Sequence, residues 1–168
     1  MITIYTDGSS RGNPGPGGFG AIIISSSEGK VASSQVNETV IEIGGREDVT
    51  TNNRMELRAA IEALRCVPEG GEVEIHSDSE YVIKGITLWV DGWQKNGWRT
   101  KAKKDVLNKD LWEQLVVETE KRKVIWNHVR GHADNELNNR CDVIATSFAD
   151  NSPVKLYEGP RENYFVSK

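Results

Sequence analysis

Three strand-like stretches at short spacing, then helix-like and strand-like periods in alternation, restrict this chain to a narrow set of folds. Residues 2–7 alternate, with Ile2, Ile4 and Thr6 on one side and Thr3, Tyr5 and Asp7 on the other. That is the period of two a strand imposes on its side chains. A glycine-dense loop follows, Gly8-Ser9-Ser10-Arg11-Gly12-Asn13-Pro14-Gly15-Pro16-Gly17-Gly18. A second apolar run covers residues 19–24, residues 25–30 read as a turn, and residues 31–43 read as a third strand. Connections this short join antiparallel neighbours.

Beyond this meander the period changes. Leu57, Ala60, Ile61 and Leu64 recur at helical spacing, with Thr51, Asn52 and Asn53 as N-cap candidates and Pro68 and Gly70-Gly71 as the stop. Residues 72–77 alternate as a fourth strand, and residues 79–86 suit a short helix. Residues 87–107 are rich in Trp and Lys and read as irregular or weakly helical. A helix over 109–120, a strand over 123–128 and a last helix marked by Leu137, Cys141, Ile144, Ala145 and Phe148 complete the pattern. Strands that alternate with helices form parallel pairs. The expected fold is therefore α/β, a mixed five-stranded sheet with three antiparallel strands, then two parallel ones, flanked by helices. Residues 1–150 form the expected domain. Residues 151–168, with Pro153 and Pro160 and no clear period, read as a C-terminal tail.

Composition bounds the function. The 168 residues fit one domain, and no apolar run reaches the length of a membrane helix, so no membrane partner is expected. The N-terminus lacks the basic flank and cleavage site of a signal peptide. Cys66 and Cys141 form neither a CxxC pair nor a zinc pattern, which suits a reducing, cytoplasmic setting. Net charge is −4, which argues against a polyanion partner, but the charge is unevenly spread. Residues 84–109 hold seven basic and two acidic side chains, a local +5 that leaves −9 for the remainder. A basic patch weighs more for nucleic acid than the global sum.

Four acids stand where no packing argument requires them. Asp7 closes the first strand and Asp78 the fourth, so adjacent parallel strands would bring both to one sheet edge, where open α/β sheets bind ligands. Glu56 is read in the first turn of its helix beside core residue Leu57, and Asp142 borders the buried stripe of the last helix. Each has an ordinary alternative: turn capping for Asp7, dipole complementation for Glu56, N-capping for Asp78, simple exposure for Asp142. Gathered together, they would repel unless a cation joined them. Oxygen donors suit Mg²⁺ or Mn²⁺, and two such ions roughly 3.5–4 Å apart would clamp a phosphodiester displacement.

At this point a family resemblance is plain. Thr6-Asp7-Gly8-Ser9, Gly12-Asn13-Pro14-Gly15-Pro16-Gly17-Gly18, Thr51-Asn52-Asn53-Arg54-Met55-Glu56-Leu57, Ser77-Asp78-Ser79, Gly131-His132-Ala133 and Asn139-Arg140-Cys141-Asp142 resemble type 1 ribonuclease H, in the bacterial form with a basic protrusion. The resemblance runs in order from residue 2 to about 150. It implies a ribonuclease H-like fold and a monomeric, Mg²⁺-dependent endonuclease. That enzyme would cut the RNA strand of RNA–DNA hybrids and leave 3′-hydroxyl and 5′-phosphate ends. It also implies that Asp7, Glu56, Asp78 and Asp142 are catalytic metal ligands for two ions and that His132 assists proton transfer or product release. Substrate contacts are implied for Asn13, Thr51, Asn52, Asn53, Trp89 and Trp93, with Lys95 and Lys101 among the basic residues that meet phosphates. Trp98 and Trp112 are expected to root the protrusion as a hydrophobic cluster, and His76 and His128 to be structural. Alternatives are an integrase- or resolvase-like nuclease on the same fold, or a hybrid-binding module with weak catalysis. Asp91, Gln94 and Asn96 make the protrusion less basic than in many relatives, and Glu80 stands where many carry Gln, so weaker hybrid affinity is expected.

Replacing Lys101, Lys103 and Lys104 together with Ala should weaken hybrid binding and flatten its salt dependence, at roughly one unit of log–log slope per lost phosphate contact. Titrations across a range of KCl concentrations check this; an unchanged slope would show that these lysines miss the phosphates.

Overall fold

The computed structural model describes residues 1–27, 37–130 and 135–166. Strands β1 (Ile2–Ser10), β2 (Gly15–Ser27) and β3 (Asn37–Thr50) form the antiparallel meander. Helix α1 (Asn52–Arg65) leads to β4 (Glu72–Ser77), which pairs in parallel with β1. A helical stretch follows: α2 (Glu80–Lys84), a π-helical turn over Gly85–Trp89, and α3 (Val90–Lys95). Helix α4 (Lys109–Glu120) then leads to β5 (Lys123–His128), parallel to β4, and α5 (Glu136–Ala149) follows. The sheet order is β5-β4-β1-β2-β3-β6, which puts β1 at the centre of the parallel and antiparallel halves.

Two expectations need correction. The glycine-dense segment is mostly strand, because Gly8–Ser10 pair with residues 17–19 and only residues 11–14 turn. Residues 87–107 bear out the irregular or weakly helical reading, with short helical pieces to Lys95 and turns after it. The π turn and α3 lead to a tight turn in which Thr100 N donates to Lys104 O at 2.8 Å and Val106 N to Trp98 O at 3.0 Å. The sheet has six strands, since β6 (Glu158–Pro160) pairs antiparallel with β3. Part of the expected third strand, residues 31–36, lies outside the described residues.

Strand alternation sorts the core into two layers. Ile4, Ile23, Val73 and Ile75 face α1 and α4, and pack with Leu57, Ile61, Leu64, Leu111, Trp112 and Leu115. Ile22 and Val40 face the other way and pack with Cys141 of α5. The α5 backbone lies so close to β2 that a Cβ on Gly20 would sit 2.5 Å from the Cys141 carbonyl oxygen. Only glycine admits that approach.

The sixth strand is held by a polar anchor rather than an apolar stripe. Glu42 on β3, with its side chain fully buried, accepts from Arg140 Nε at 2.7 Å and Nη2 at 3.0 Å, from Tyr164 Oη at 2.8 Å and from the Tyr157 amide at 2.9 Å. Burial alone would raise the Glu42 pKa, but the hydrogen bonds from Arg140, Tyr164 and Tyr157 outweigh it and hold the carboxyl below its ordinary value. The same burial, with Glu42 as partner, pushes the Tyr164 phenol up. Residues 151–166 thus close over α5 through Arg140.

Removing one partner of a buried pair leaves an uncompensated charge. Arg140→Ala should cost about 3–5 kcal/mol, and Tyr164→Phe about 1.5–3 kcal/mol, the value of a hydrogen bond to a charged acceptor. Urea unfolding measures both; losses under 1 kcal/mol would show that the anchor contributes little.

Candidate active site

Pairing between β1 and β4 ends at Thr6–Ser77, while β1 continues to Ser10 against β2. The shorter strand leaves a notch in the sheet. Asp7 is the first residue of β1 beyond the notch, and Asp78 is the first beyond the end of β4. Asp7 therefore does not end its strand; it stands where its parallel neighbour stops. By alternation Asp7 lies on the α5 side of the sheet with Tyr5, and Gly8 lies on the α1 side. A Cβ on Gly8 would collide with the α1 backbone at Met55 and Glu56. This close approach brings Glu56 to the notch from the opposite face. One carboxylate oxygen from each of Asp7, Glu56 and Asp78 lies within 4.8 Å of the others.

Helix capping separates site residues from structural ones. Thr51 Oγ1 accepts from Arg54 N and caps α1. The first turn of α1 carries no acid, so Glu56 sits one turn too late to serve the helix dipole there. Ser79 caps α2, accepting from Val82 N, and this leaves Asp78 without a capping duty. Asp142, on α5, is exposed and lies outside the 4.8 Å group, yet its charge adds to the field that raises Asp7.

Burial pushes the Asp7 carboxyl up to about 8, and the neighbouring charges of Asp78 and Asp142 push the same way. Burial also raises Glu56 well above its ordinary value, with Asp7 and Asp78 adding to it. Glu56 Oε2 is buried and has no hydrogen-bond partner among the described residues. A buried carboxylate oxygen without a partner normally costs stability. Three crowded carboxylates, one of them with a buried oxygen that lacks a partner among the described residues, fit a hard divalent cation, and these residues could hold one.

Sequence reasoning missed Asn138. It is buried on α5 four residues before Asp142, and its Nδ2 lies 3.5 Å from Asp78 Oδ2. That i, i+4 spacing was the available signal. His128 Nε2 also meets the Asp78 carbonyl at 3.2 Å. The proposed loop residue His132, with Gly131 and Ala133, lies outside the described residues.

The expected contact residues fall into two groups. Asn13, Thr51, Asn52 and Asn53 line a pocket of about 350 Å³ together with Leu107 and Asn108. Asn52 N donates to Asn13 Oδ1 at 2.9 Å, which ties the β1–β2 turn to α1. Trp89 and Trp93 belong to an aromatic chain with centroid spacings of 5.8 Å (Trp89–Trp93), 6.2 Å (Trp93–Trp98) and 5.4 Å (Trp93–Trp112). Trp112 is fully buried and donates to Tyr81 Oη at 2.9 Å, and Trp98 packs against the same core, so both root the protrusion as expected. Trp89 is 38% exposed. Lys95 is exposed and pairs with Asp91 at 2.9 Å; Lys101 is exposed on the tight turn. Glu80 pairs with Lys84 at 3.3 Å.

The RNase H family model matches residues 1–150. The chain belongs to the ribonuclease H family. It is 47% identical to the ribonuclease H of Solibacter usitatus over 88% of this chain and 94% of that protein. It is 46% identical to that of Psychromonas ingrahamii over 94% and 98%. Its fold matches LC9-RNase H1, a type 1 RNase H with the type 2 active-site motif, with a TM-score of 0.79, 31% identity and coverage of 94% of this chain and 76% of that one. LC11-RNase H1, solved in complex with an RNA/DNA hybrid, matches with a TM-score of 0.60, 27% identity and coverage of 90% and 99%. This ribonuclease H is an enzyme of the nuclease class, and no helix among its described residues is long and apolar enough to cross a membrane.

For this ribonuclease H the raised Asp7 pKa sets the sign of a pH effect. Between the ordinary 3.8 and about 8 the folded state keeps a proton that the unfolded chain has released. Stability from this source is complete below the unfolded pKa and is lost as pH rises through the folded one. In chelator the melting temperature should therefore fall from pH 5 to pH 8.5. Asp7→Asn should remove most of that fall and raise the value at pH 8 by roughly 2–8 °C, equivalent to about 1–2 kcal/mol. Superimposable wild-type and variant curves would show that the carboxylates do not crowd.

Proposed function

We propose that this ribonuclease H hydrolyses the RNA strand of RNA–DNA hybrids endonucleolytically, with two Mg²⁺ ions at its acidic notch, and leaves 3′-hydroxyl and 5′-phosphate ends. The observation that carries the reading is the convergence of Asp7, Glu56 and Asp78 within 4.8 Å, with Glu56 Oε2 buried and without a partner among the described residues. Family membership and the hybrid-bound LC11-RNase H1 support the substrate.

Asp7, Glu56 and Asp78 would hold the ions, and Asp142 would add a fourth carboxylate from α5. When bound, divalent cations neutralise the carboxylates, acidify water and stabilise charge on the attacking and leaving oxygens. Because burial holds Asp7 and Glu56 protonated near neutral pH, cation binding must displace those protons and strengthens as pH rises. Asn138 orients Asp78 through its Nδ2. His132 would assist proton transfer or product release, a role that suits an imidazole near neutral pH.

Recognition avoids base edges. Asn13, Asn52 and Asn53 meet sugar and backbone groups of the RNA strand, where the 2′-hydroxyl marks RNA. Thr51 stands beside a DNA-strand phosphate. Trp89 and Trp93 offer ring faces to deoxyribose, and Lys95 and Lys101 meet phosphates. Because Asp91 and Glu80 pair with Lys95 and Lys84, they reduce the positive charge available to the hybrid.

The test is a strand-labelled digestion of RNA–DNA hybrid, RNA duplex and DNA duplex, each with Mg²⁺ or with chelator. RNA-strand products from the hybrid alone, and only with Mg²⁺, are expected. Asp7→Asn should lower turnover at least about 10²-fold, the scale of losing a key electrostatic group, and still bind hybrid. Residual cutting of DNA duplex would favour an integrase- or resolvase-like activity, and near-normal turnover of Asp7→Asn would remove it from the site.

A further inference from the structure

The β1–β2 turn is held from two sides. On the α1 side, Ser10 N donates to Asn52 Oδ1 at 2.6 Å and Asn52 N donates to Asn13 Oδ1 at 2.9 Å. Within the turn, Ser10 Oγ donates to Gly12 O at 2.6 Å and Arg11 N to Pro16 O at 2.7 Å. On the α5 side, Arg11 forms a fork with Asp150: Nε to Oδ1 at 2.7 Å and Nη2 to Oδ2 at 2.7 Å. The turn thus bridges helices on opposite faces of the sheet.

Asp150 is a costly choice at its position. It occupies the C-cap of α5, the negative end of the helix, which disfavours an anion. Its backbone amide already serves the cap by donating to the Thr146 carbonyl at 2.9 Å, so the cap does not need the side chain. The carboxylate meets the guanidinium in the planar two-bond geometry that fixes orientation as well as distance. Both side chains are about half exposed, at 51% and 48%, and exposed pairs add little to global stability. What such a pair can do is restrict the turn that joins it.

We propose that Asp150 is a positioning residue for substrate. Through Arg11 it locks the β1–β2 turn to α5, so that Asn13 on the turn and Asp142 on α5 keep a set spacing. Asp150 touches neither hybrid nor ions. The inference rests on the hybrid-cleavage reading above and extends it to a residue at the boundary of the family region.

The experiment uses the full chain with Asp150→Ala, Arg11→Ala, the double variant and the reversed pair Arg11→Asp/Asp150→Arg. Each single variant should raise KM for a hybrid about three- to fivefold, the range of an oriented ion pair, with kcat within about twofold. The double variant should be no worse than either single one, and the reversed pair should recover part of the loss. Asp150→Ala should also speed tryptic cleavage after Arg11, a readout that needs no activity. Unchanged KM in both single variants overturns the proposal. A lower KM in Asp150→Ala with a higher one in Arg11→Ala also overturns it, because Arg11 would then be a phosphate ligand that Asp150 masks. If the wild type fails to cut hybrid, faster trypsinolysis still supports the lock while the functional reading falls. An unchanged trypsin rate sinks the lock itself.

Discussion

Electrostatic repulsion inside a break in the sheet organises this molecule. Because β4 stops at Ser77 while β1 runs on to Ser10, carboxylates from the two faces can meet at one point. Asp7 arrives from the α5 side, Glu56 from the α1 side, and Asp78 from the strand end. In water three such groups would separate. Here backbone geometry holds them, and burial raises the Asp7 and Glu56 pKa values because the charged forms are poorly solvated. The notch stores unfavourable electrostatic energy that a cation can relieve.

Holding those groups requires stiff mounts on both faces. Helix α1 approaches β1 so closely that residue 8 has no room for a side chain, and α5 does the same at residue 20. Dense packing below the site, with Leu57, Ile61, Leu64 and Trp112 wholly buried, leaves α1 little freedom to move. Helix α5 adds polar anchors to its apolar packing. Glu42 grips Arg140 near its start, and Arg11 grips Asp150 at its end. Charged anchors fix direction as well as distance, which steadies the helix that carries Asn138 and Asp142.

The Trp/Lys segment separates support from contact. Tyr81, Trp93, Trp98 and Trp112 form the aromatic base of the protrusion, and the tight turn between Arg99 and Asp105 carries Lys101, Lys103 and Lys104. Local pairs with Glu80 and Asp91 offset Lys84 and Lys95, so the basic character concentrates at that turn. A polyanion would meet charge mounted on a rigid aromatic root, which lowers the ordering cost of binding.

Much of this was readable without coordinates. Residues with a strong local period, such as the Leu57–Leu64 stripe of α1 and the alternation of β4 and β5, declared their elements because burial on one face dictates the spacing of apolar side chains. The acids Asp7, Glu56 and Asp78 were legible too, since an acid beside core positions at element ends lacks a packing reason. The sixth strand was not, because three residues held by backbone pairing and the Glu42–Arg140–Tyr164 anchor leave no hydrophobic rhythm. Nor were the extra length of β1 past β4, the exclusion of Asp142 from the tight carboxylate group, the role of Asn138 or the Arg11–Asp150 fork. Local chemistry determines which residues form a strand or a helix; only the assembled tertiary structure decides which strand outruns its neighbour and which distant charges meet, because those outcomes depend on contacts between residues far apart in the chain.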